Sequence, residues 1–125
     1  MKKLIIIDDD PSILDVLRLV LGESYQVTTY PDGSPILNWT FDLPDLFVLD
    51  KQLSGTDGLD LCRLLKQGED TRHIPVIIIS ATPGIQTMAA AAGADDVLEK
   101  PFRVKALREC IAKLLGVQQE VSGQV

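Results

Sequence analysis

Leu46-Phe47-Val48-Leu49-Asp50 is a run of four apolar residues closed by a carboxylate. A run this short, with no polar alternation, reads as a strand covered on both faces, the kind found in parallel sheets. The chain repeats the pattern on either side. Leu4 to Asp8, Gln26 to Tyr30, Val76 to Ser80 and Asp96 to Glu99 are further strand candidates, each followed by a longer segment of helical period. Five such pairs predict an α/β protein with a parallel sheet.

The first helix is expected to begin at Pro11, whose fixed φ and missing N–H suit the first helical position, with Asp10 as its N-cap. It should end near Gly22, and Ile13, Leu14, Leu17, Val20 and Leu21 form its apolar stripe. A short second helix should start at Pro35, capped by Ser34, and carry Ile36, Leu37 and Trp39. The third runs from about Gly58 to Lys66, and the fourth is the alanine-rich stretch up to Gly93. The fifth spans Val104 to Leu115 and is closed by Gly116. Residues 1–116 then make one domain. Val117 to Val125 is polar and without helical period, and reads as a frayed end or the start of a linker.

A chain of 125 residues with 46% apolar residues fills one core and no more. Its net charge of -6 argues against a phosphate-backbone surface, so no nucleic-acid partner is expected. The apolar run Leu4 to Ile7 stops at Asp8, well short of the about 7 to 15 residues of a secretory signal. No run of about 18 apolar residues could span a bilayer. A cytoplasmic protein without membrane contact is the expectation. Cys62 and Cys110 lie in helical segments without CxxC spacing and are read as buried structural thiols. His73, the single histidine, sits in a polar connection before Ile74-Pro75 and is read as a solvated loop residue.

In an open parallel sheet, ligands collect at the carboxyl ends of the strands. Here the first strand ends in Asp8-Asp9, the third in Asp50 and the fourth in Ser80, and the fifth is followed by Lys100-Pro101. Three carboxylates, a hydroxyl and an ammonium should therefore share one rim. Crowded carboxylates repel unless a cation sits among them, and oxygen ligands with open positions suit Mg²⁺. Acidic residues at strand ends also serve as helix caps or solvated loop charges, and Asp10, followed by Pro11, is assigned that plainer role. It is the whole set of strand ends that carries the case for a metal.

From Lys3 to about Leu115 the sequence resembles the receiver domains of two-component response regulators. The resemblance rests on Ile6-Ile7-Asp8-Asp9-Asp10-Pro11, Asp45 to Asp50, Asp57-Gly58, Pro75 to Ala81, Gly93-Ala94-Asp95-Asp96 and Lys100-Pro101-Phe102, in that order. It implies a flavodoxin-like, doubly wound three-layer sandwich of five strands and five helices, with strand order 2-1-3-4-5. It makes Asp50 the phosphoacceptor, which takes a phosphoryl group from a phosphohistidine on a histidine kinase or phosphotransfer protein. Asp8, Asp9 and Asp50, with the backbone carbonyl of Gln52, would hold Mg²⁺ as the cofactor. Ser80 would donate its hydroxyl, and Lys100 its ammonium, to the new phosphoryl oxygens. It also implies a cis bond between Lys100 and Pro101, and no enzyme activity beyond self-phosphorylation and self-dephosphorylation.

The chain departs from the family in several places. Val97 stands where a switching Tyr or Phe is common, and Ser54 where the loop after the phosphoacceptor usually has proline. Thr82-Pro83-Gly84 announces a turn and a short fourth helix, and Lys51 adds a cation beside Asp50, read as a solvated surface lysine. The leading expectation is a phosphorylatable regulator whose output is binding to another, unknown protein. A receiver-like module that binds partners without phosphorylation is the alternative suggested by Val97 and the short fourth helix. A Mg²⁺-dependent phosphohydrolase or nucleotide-binding enzyme would need a GxGxxG or P-loop pattern, which the chain lacks.

Overall fold

A computed structural model describes residues 1–116, and the expected polar tail at 117–125 lies outside the described residues. In chain order the elements are β1 (Lys3–Ile7), α1 (Pro11–Leu21), β2 (Gln26–Tyr30), α2 (Ser34–Asn38), β3 (Leu46–Asp50), β4 (Gln52–Leu53), β5 (Thr56–Asp57), α3 (Gly58–Gln67), β6 (Val76–Ser80), α4 (Ile85–Ala91), β7 (Asp96–Glu99) and α5 (Val104–Leu115). Five strands form one parallel sheet in the order β2-β1-β3-β6-β7. This is the expected 2-1-3-4-5, counted over the parallel strands, because β4 and β5 pair only with each other as a small antiparallel hairpin.

The central strands β3 and β6 are buried at every position, which explains their unbroken apolar runs. Alternation along the strands divides their side chains between two cores. Ile5, Ile7, Phe47, Leu49, Val76 and Ile78 pack beneath α3 and α4 with Leu61, Leu65 and Ile85, and Ile36 of α2 joins them. Leu4, Ile6, Leu46, Val48, Ile77 and Ile79 pack on the other face against Leu14, Leu17 and Leu21 of α1 and Leu107 and Ile111 of α5. Each fully buried Leu or Ile contributes about 1.5–3 kcal/mol, so neither face could be left without its helices. The result is the three-layer arrangement.

Most boundaries fall where the residues place them. Asp10 caps α1 by accepting from the Ser12 N–H at 2.9 Å, and Gly116 closes α5 with a φ of 67°. The Lys100-Pro101 bond is cis. Other expectations need correction. β1 ends at Ile7, although the Asp8 N–H still reaches the Tyr30 carbonyl at 3.2 Å. Ser34 is the first residue of α2 and not its cap, because Asp32 Oδ1 accepts from both its N–H and its hydroxyl at 2.8 and 2.6 Å. The third helix runs one residue further, to Gln67, and α4 stops at Ala91, before Gly93. Cys62 is buried, its thiol donating to the Ala92 carbonyl at 3.4 Å, but Cys110 is only half-buried and donates to Asp96 Oδ2 at 3.1 Å. Burial pushes the Cys62 thiol up to about 11, and burial with the Asp96 carboxylate pushes Cys110 up to about 12. His73 is exposed.

Candidate functional site

The register of the sheet sets the site. Leu49 lies level with Ile7 and with Ile78, so Asp8 and Asp50 leave the core together, and Ser80, level with Glu99, follows one step on. Side-chain alternation then sorts these residues by face. Asp8 continues the Leu4, Ile6 series and Asp50 the Leu46, Val48 series, both toward α1 and α5. Ser80 continues the Val76, Ile78 series toward α3 and α4.

Asp8, Asp9 and Asp50 each offer a carboxylate oxygen within 4.8 Å of the others. Asp8 and Asp50 are buried, at 2% and 4% exposure, whereas Asp9 is exposed. Lys100 closes the group: its Nζ lies 2.9 Å from Asp50 Oδ2 and 3.6 Å from Asp8 Oδ2. Backbone donors hold the two buried carboxylates in place, the Asp10 N–H on Asp8 Oδ1 at 2.9 Å and the Gln52 N–H on Asp50 Oδ1 at 3.2 Å. An open cleft of about 350 Å³ lies over the cluster, lined also by Asp10, Gln52, Leu53, Ser54 and Ala81.

The charges are unbalanced. Burial, together with the neighbouring charge of Asp50, raises the pKa of Asp8 above its ordinary 3.8, against the pull of the Asp10 N–H and Lys100. Burial works to lower Lys100, but its hydrogen bond to Asp50 and the charges of Asp50 and Asp8 outweigh that and raise it. Three carboxylates share one ammonium, all are oxygen donors, and an open cleft leaves room for water. That donor set fits a hard divalent cation that keeps part of its hydration.

Ser80 Oγ accepts the Thr82 N–H at 2.9 Å and makes no hydrogen bond to Asp50 or to the Lys100 ammonium, although the Ser80 carbonyl accepts the Lys100 N–H at 2.8 Å. Lys51 is not the solvated lysine expected from its sequence position: its side chain is 15% exposed and its Nζ lies 3.0 Å from Asp57 Oδ2. Ser54, unremarked except as a missing proline, places its hydroxyl 3.5 Å from Asp9 Oδ2. The hairpin that brings it there was signalled by Ser54-Gly55 between Leu53 and Thr56, a two-residue turn in which Gly55 takes a φ of 77°.

Beside the acidic cleft, and meeting it at Lys100 and Ala81, is an apolar groove of about 570 Å³ lined by Ser12, Ile13, Val16, Leu17, Pro101, Phe102 and Val104. It runs between α1 and the start of α5. Ile13 and Leu17 of the α1 stripe form part of its wall.

Residues 4–112 match the response regulator receiver domain. The chain belongs to the response regulator receiver family. It is 36% identical over 110 residues to the DNA-binding response regulator MtrA of Mycolicibacterium smegmatis, a match covering 85% of this chain and 47% of MtrA. The chain thus spans about half the length of that relative. Among solved structures, a putative response regulator from Chloroflexus aurantiacus superposes with a TM-score of 0.84 at 33% identity, covering 92% of this receiver and 98% of that chain. The receiver domain of the sensor histidine kinase PA1611 from Pseudomonas aeruginosa, which has a magnesium ion coordinated in its active-site cleft, superposes with a TM-score of 0.82 at 25% identity, covering 92% and 98%. This chain is therefore a receiver of two-component signalling with a doubly wound, five-stranded parallel sheet. No helix among the described residues is long and apolar enough to cross a membrane.

Proposed function

We propose that residues 1–116 act as a cytoplasmic phosphoacceptor domain in which Asp50 takes the phosphoryl group from a phosphohistidine of a histidine kinase or phosphotransfer protein. One observation carries the reading: the buried Asp50 carboxylate has an oxygen within 4.8 Å of oxygens of Asp8 and Asp9 and lies 2.9 Å from the Lys100 ammonium, under an open cleft. Asp8, Asp9 and Asp50, with the carbonyl of Gln52, are the residues to hold Mg²⁺. When bound, Mg²⁺ offsets the charge of the attacking carboxylate and of the phosphoryl oxygens.

The remaining steps fall to the chain itself. An Asp50 oxygen attacks phosphorus, the P–N bond to the donor imidazole breaks, and an acyl phosphate remains. Lys100, now donating to Asp50, follows the charge outward to a phosphoryl oxygen. Ser80 Oγ accepts the Thr82 N–H, which leaves its own O–H proton free to be given to another phosphoryl oxygen once the turn moves. The groove shared by Ile13, Val16, Phe102 and Val104 gives the donor protein an apolar ledge ending at Lys100. Output passes by binding to another protein, and the net charge of -6 speaks against nucleic acid as the partner of this domain. Beyond gaining and losing its own acyl phosphate we assign it no enzyme activity.

Incubation with a small phosphodonor and Mg²⁺, followed by intact-mass measurement, tests this: one phosphoryl group should be gained, only with the divalent cation, and Asp50→Asn should gain none. Val97 favours a second reading, a receiver-like interaction module that does not use phosphorylation. Unlabelled wild-type protein would support it.

A further inference from the structure

The segment joining β3 to α3 has few anchors in the core, since of residues 51–57 only Leu53 is buried. Its ends are nevertheless fastened. Lys51 Nζ donates to Asp57 Oδ2 at 3.0 Å, while Asp57 Oδ1 caps α3 by accepting the Leu59 N–H at 2.8 Å. The Gly58 N–H donates to the Lys51 carbonyl at 2.7 Å, and Gln52 pairs with Asp57 across the hairpin. These contacts close residues 51–58 into a ring. Position 58 must be glycine, because a Cβ there would overlap the Asp50 carbonyl oxygen, so the start of α3 abuts the backbone of Asp50 itself.

We propose that the Lys51–Asp57 ion pair is a clasp that holds this hairpin in the shape that receives Mg²⁺, making Lys51 a positioning residue for the metal. The inference rests on the reading of Asp8, Asp9 and Asp50 as the metal site.

Three features argue for it. The hairpin carries Gln52, which lines the acidic cleft, and Ser54, which touches Asp9, so its conformation sets part of the cleft wall. Serine at 54 imposes no ring constraint on φ, so the turn must be narrowed by tying its ends instead. The placement of the cation also matters. Lys51 directly follows Asp50, yet its ammonium pairs with Asp57 at 3.0 Å and with none of the three carboxylates. A lysine free to reach that cluster would compete with a divalent ion, whereas the clasped lysine leaves it open. Exposed ion pairs contribute little, and Asp57 is 39% exposed, but Lys51 is 15% exposed and the bond is one of several closing the same ring.

The test is a titration of the full chain with MgCl₂ alone, followed by amide chemical shifts. Lys51→Met should raise the dissociation constant for Mg²⁺ about tenfold or more, as outer-shell changes at metal sites do. Asp57→Asn keeps an N-cap and breaks the charge pair, so it should weaken Mg²⁺ similarly without risk to α3. Lys51→Arg, which can still reach Asp57, should bind as the wild type does, a rescue that loss of general packing would not give. Wild-type affinity in both Lys51→Met and Asp57→Asn would overturn the clasp. Asp9→Ala separates the two readings. If it loses Mg²⁺ while the clasp variants keep it, only the clasp is wrong. If it too binds as the wild type does, the metal site has been misplaced and both fall.

Discussion

Each end of the sheet has a lysine meeting an aspartate, and the two arrangements differ in a way that separates structure from chemistry. At the amino ends of the strands, Lys66 Nζ donates to Asp95 Oδ2 and to the Ile74 carbonyl at 2.9 Å each and to the Arg72 carbonyl at 3.3 Å. Asp95 Oδ2 also accepts the Val76 N–H at 2.8 Å. One ammonium meets one carboxylate, and neutral backbone groups fill the remaining positions. At the carboxyl ends, Lys100 faces Asp50 and Asp8, with Asp9 in reach of the same point. There the ammonium is outnumbered, and a backbone N–H on each buried carboxylate does not remove the excess charge. A Lys–Asp contact alone therefore says little. The uncompensated carboxylates mark where a ligand is needed.

The strongest way to break this comparison is to exchange expectations between the ends. Asp50→Asn should abolish phosphoryl acceptance entirely, whereas Lys66→Met should accept as the wild type does, both read by intact mass after treatment with a small phosphodonor and Mg²⁺. A folded Lys66→Met that failed to gain the group would show that the amino end is not merely structural. On stability the order reverses. Lys66→Met leaves the Ile74 carbonyl and Asp95 short of a charged donor and should cost about 1–3 kcal/mol in urea unfolding. A loss well below that would mean that water replaces the ammonium freely.

Most of the fold was legible because its apolar runs end where the sheet ends. β3, for instance, is buried from Leu46 to Asp50 and the next residue turns away. The rim was legible for the same reason, since strand ends in a parallel sheet are brought level by register. The rest depended on choices between neighbouring polar groups. At the start of α2 the N-cap is Gly33, without a side-chain cap, and Ser34 instead donates its N–H and hydroxyl to Asp32. The hairpin Gln52 to Asp57 is too short to show a period. Lys51–Asp57, Ser54–Asp9 and Cys110–Asp96 depend on where loops and helix faces bring side chains, which no local pattern encodes.

A smaller effect sharpens the charge argument. Burial and the Asp50 charge raise the pKa of Asp8 above 3.8, so the folded state keeps that proton longer than the unfolded chain does. The sign follows: stability from this group is greatest below the unfolded value and is lost as pH rises through the raised folded one. At neutral pH the ionised Asp8 is thus a liability in metal-free protein. Asp8→Asn keeps an acceptor for the Asp10 N–H and should stabilise the apo protein at pH 7, with the gain shrinking toward acid pH. Adding MgCl₂ should reverse the order, because only the wild type gains binding energy. Urea unfolding in EDTA and in MgCl₂ measures both. An Asp8→Asn variant less stable than the wild type in EDTA would mean that Asp8 is already compensated by Lys100.

The smallest expected change in chemistry comes from Ser80, and it bears on how the carboxyl end communicates outward. Val97 is half-buried against the core under α3 and α4, level with Ile78, and is too small and stiff to swap rotamers as an aromatic ring would. What can move is the turn after Ser80. A single hydrogen bond from the Thr82 N–H ties that turn to Ser80 Oγ, and the helix beyond it has seven residues, no side-chain cap and Gly84 at a φ of 71°. If Ser80 turns its hydroxyl to a phosphoryl oxygen, this bond is the first to be disturbed. Ser80→Ala should therefore still phosphorylate, slowed by about ten- to a hundredfold, the worth of one hydrogen bond to a charged group. It should lose most of the change in hydrogen exchange over residues 80–93 and 97–105 that a beryllofluoride mimic produces in the wild type. If Ser80→Ala keeps that change, the signal does not pass through this turn. If the wild type shows none, phosphorylation is not what this surface reports, and binding that ignores the phosphoryl group becomes the better account of the domain.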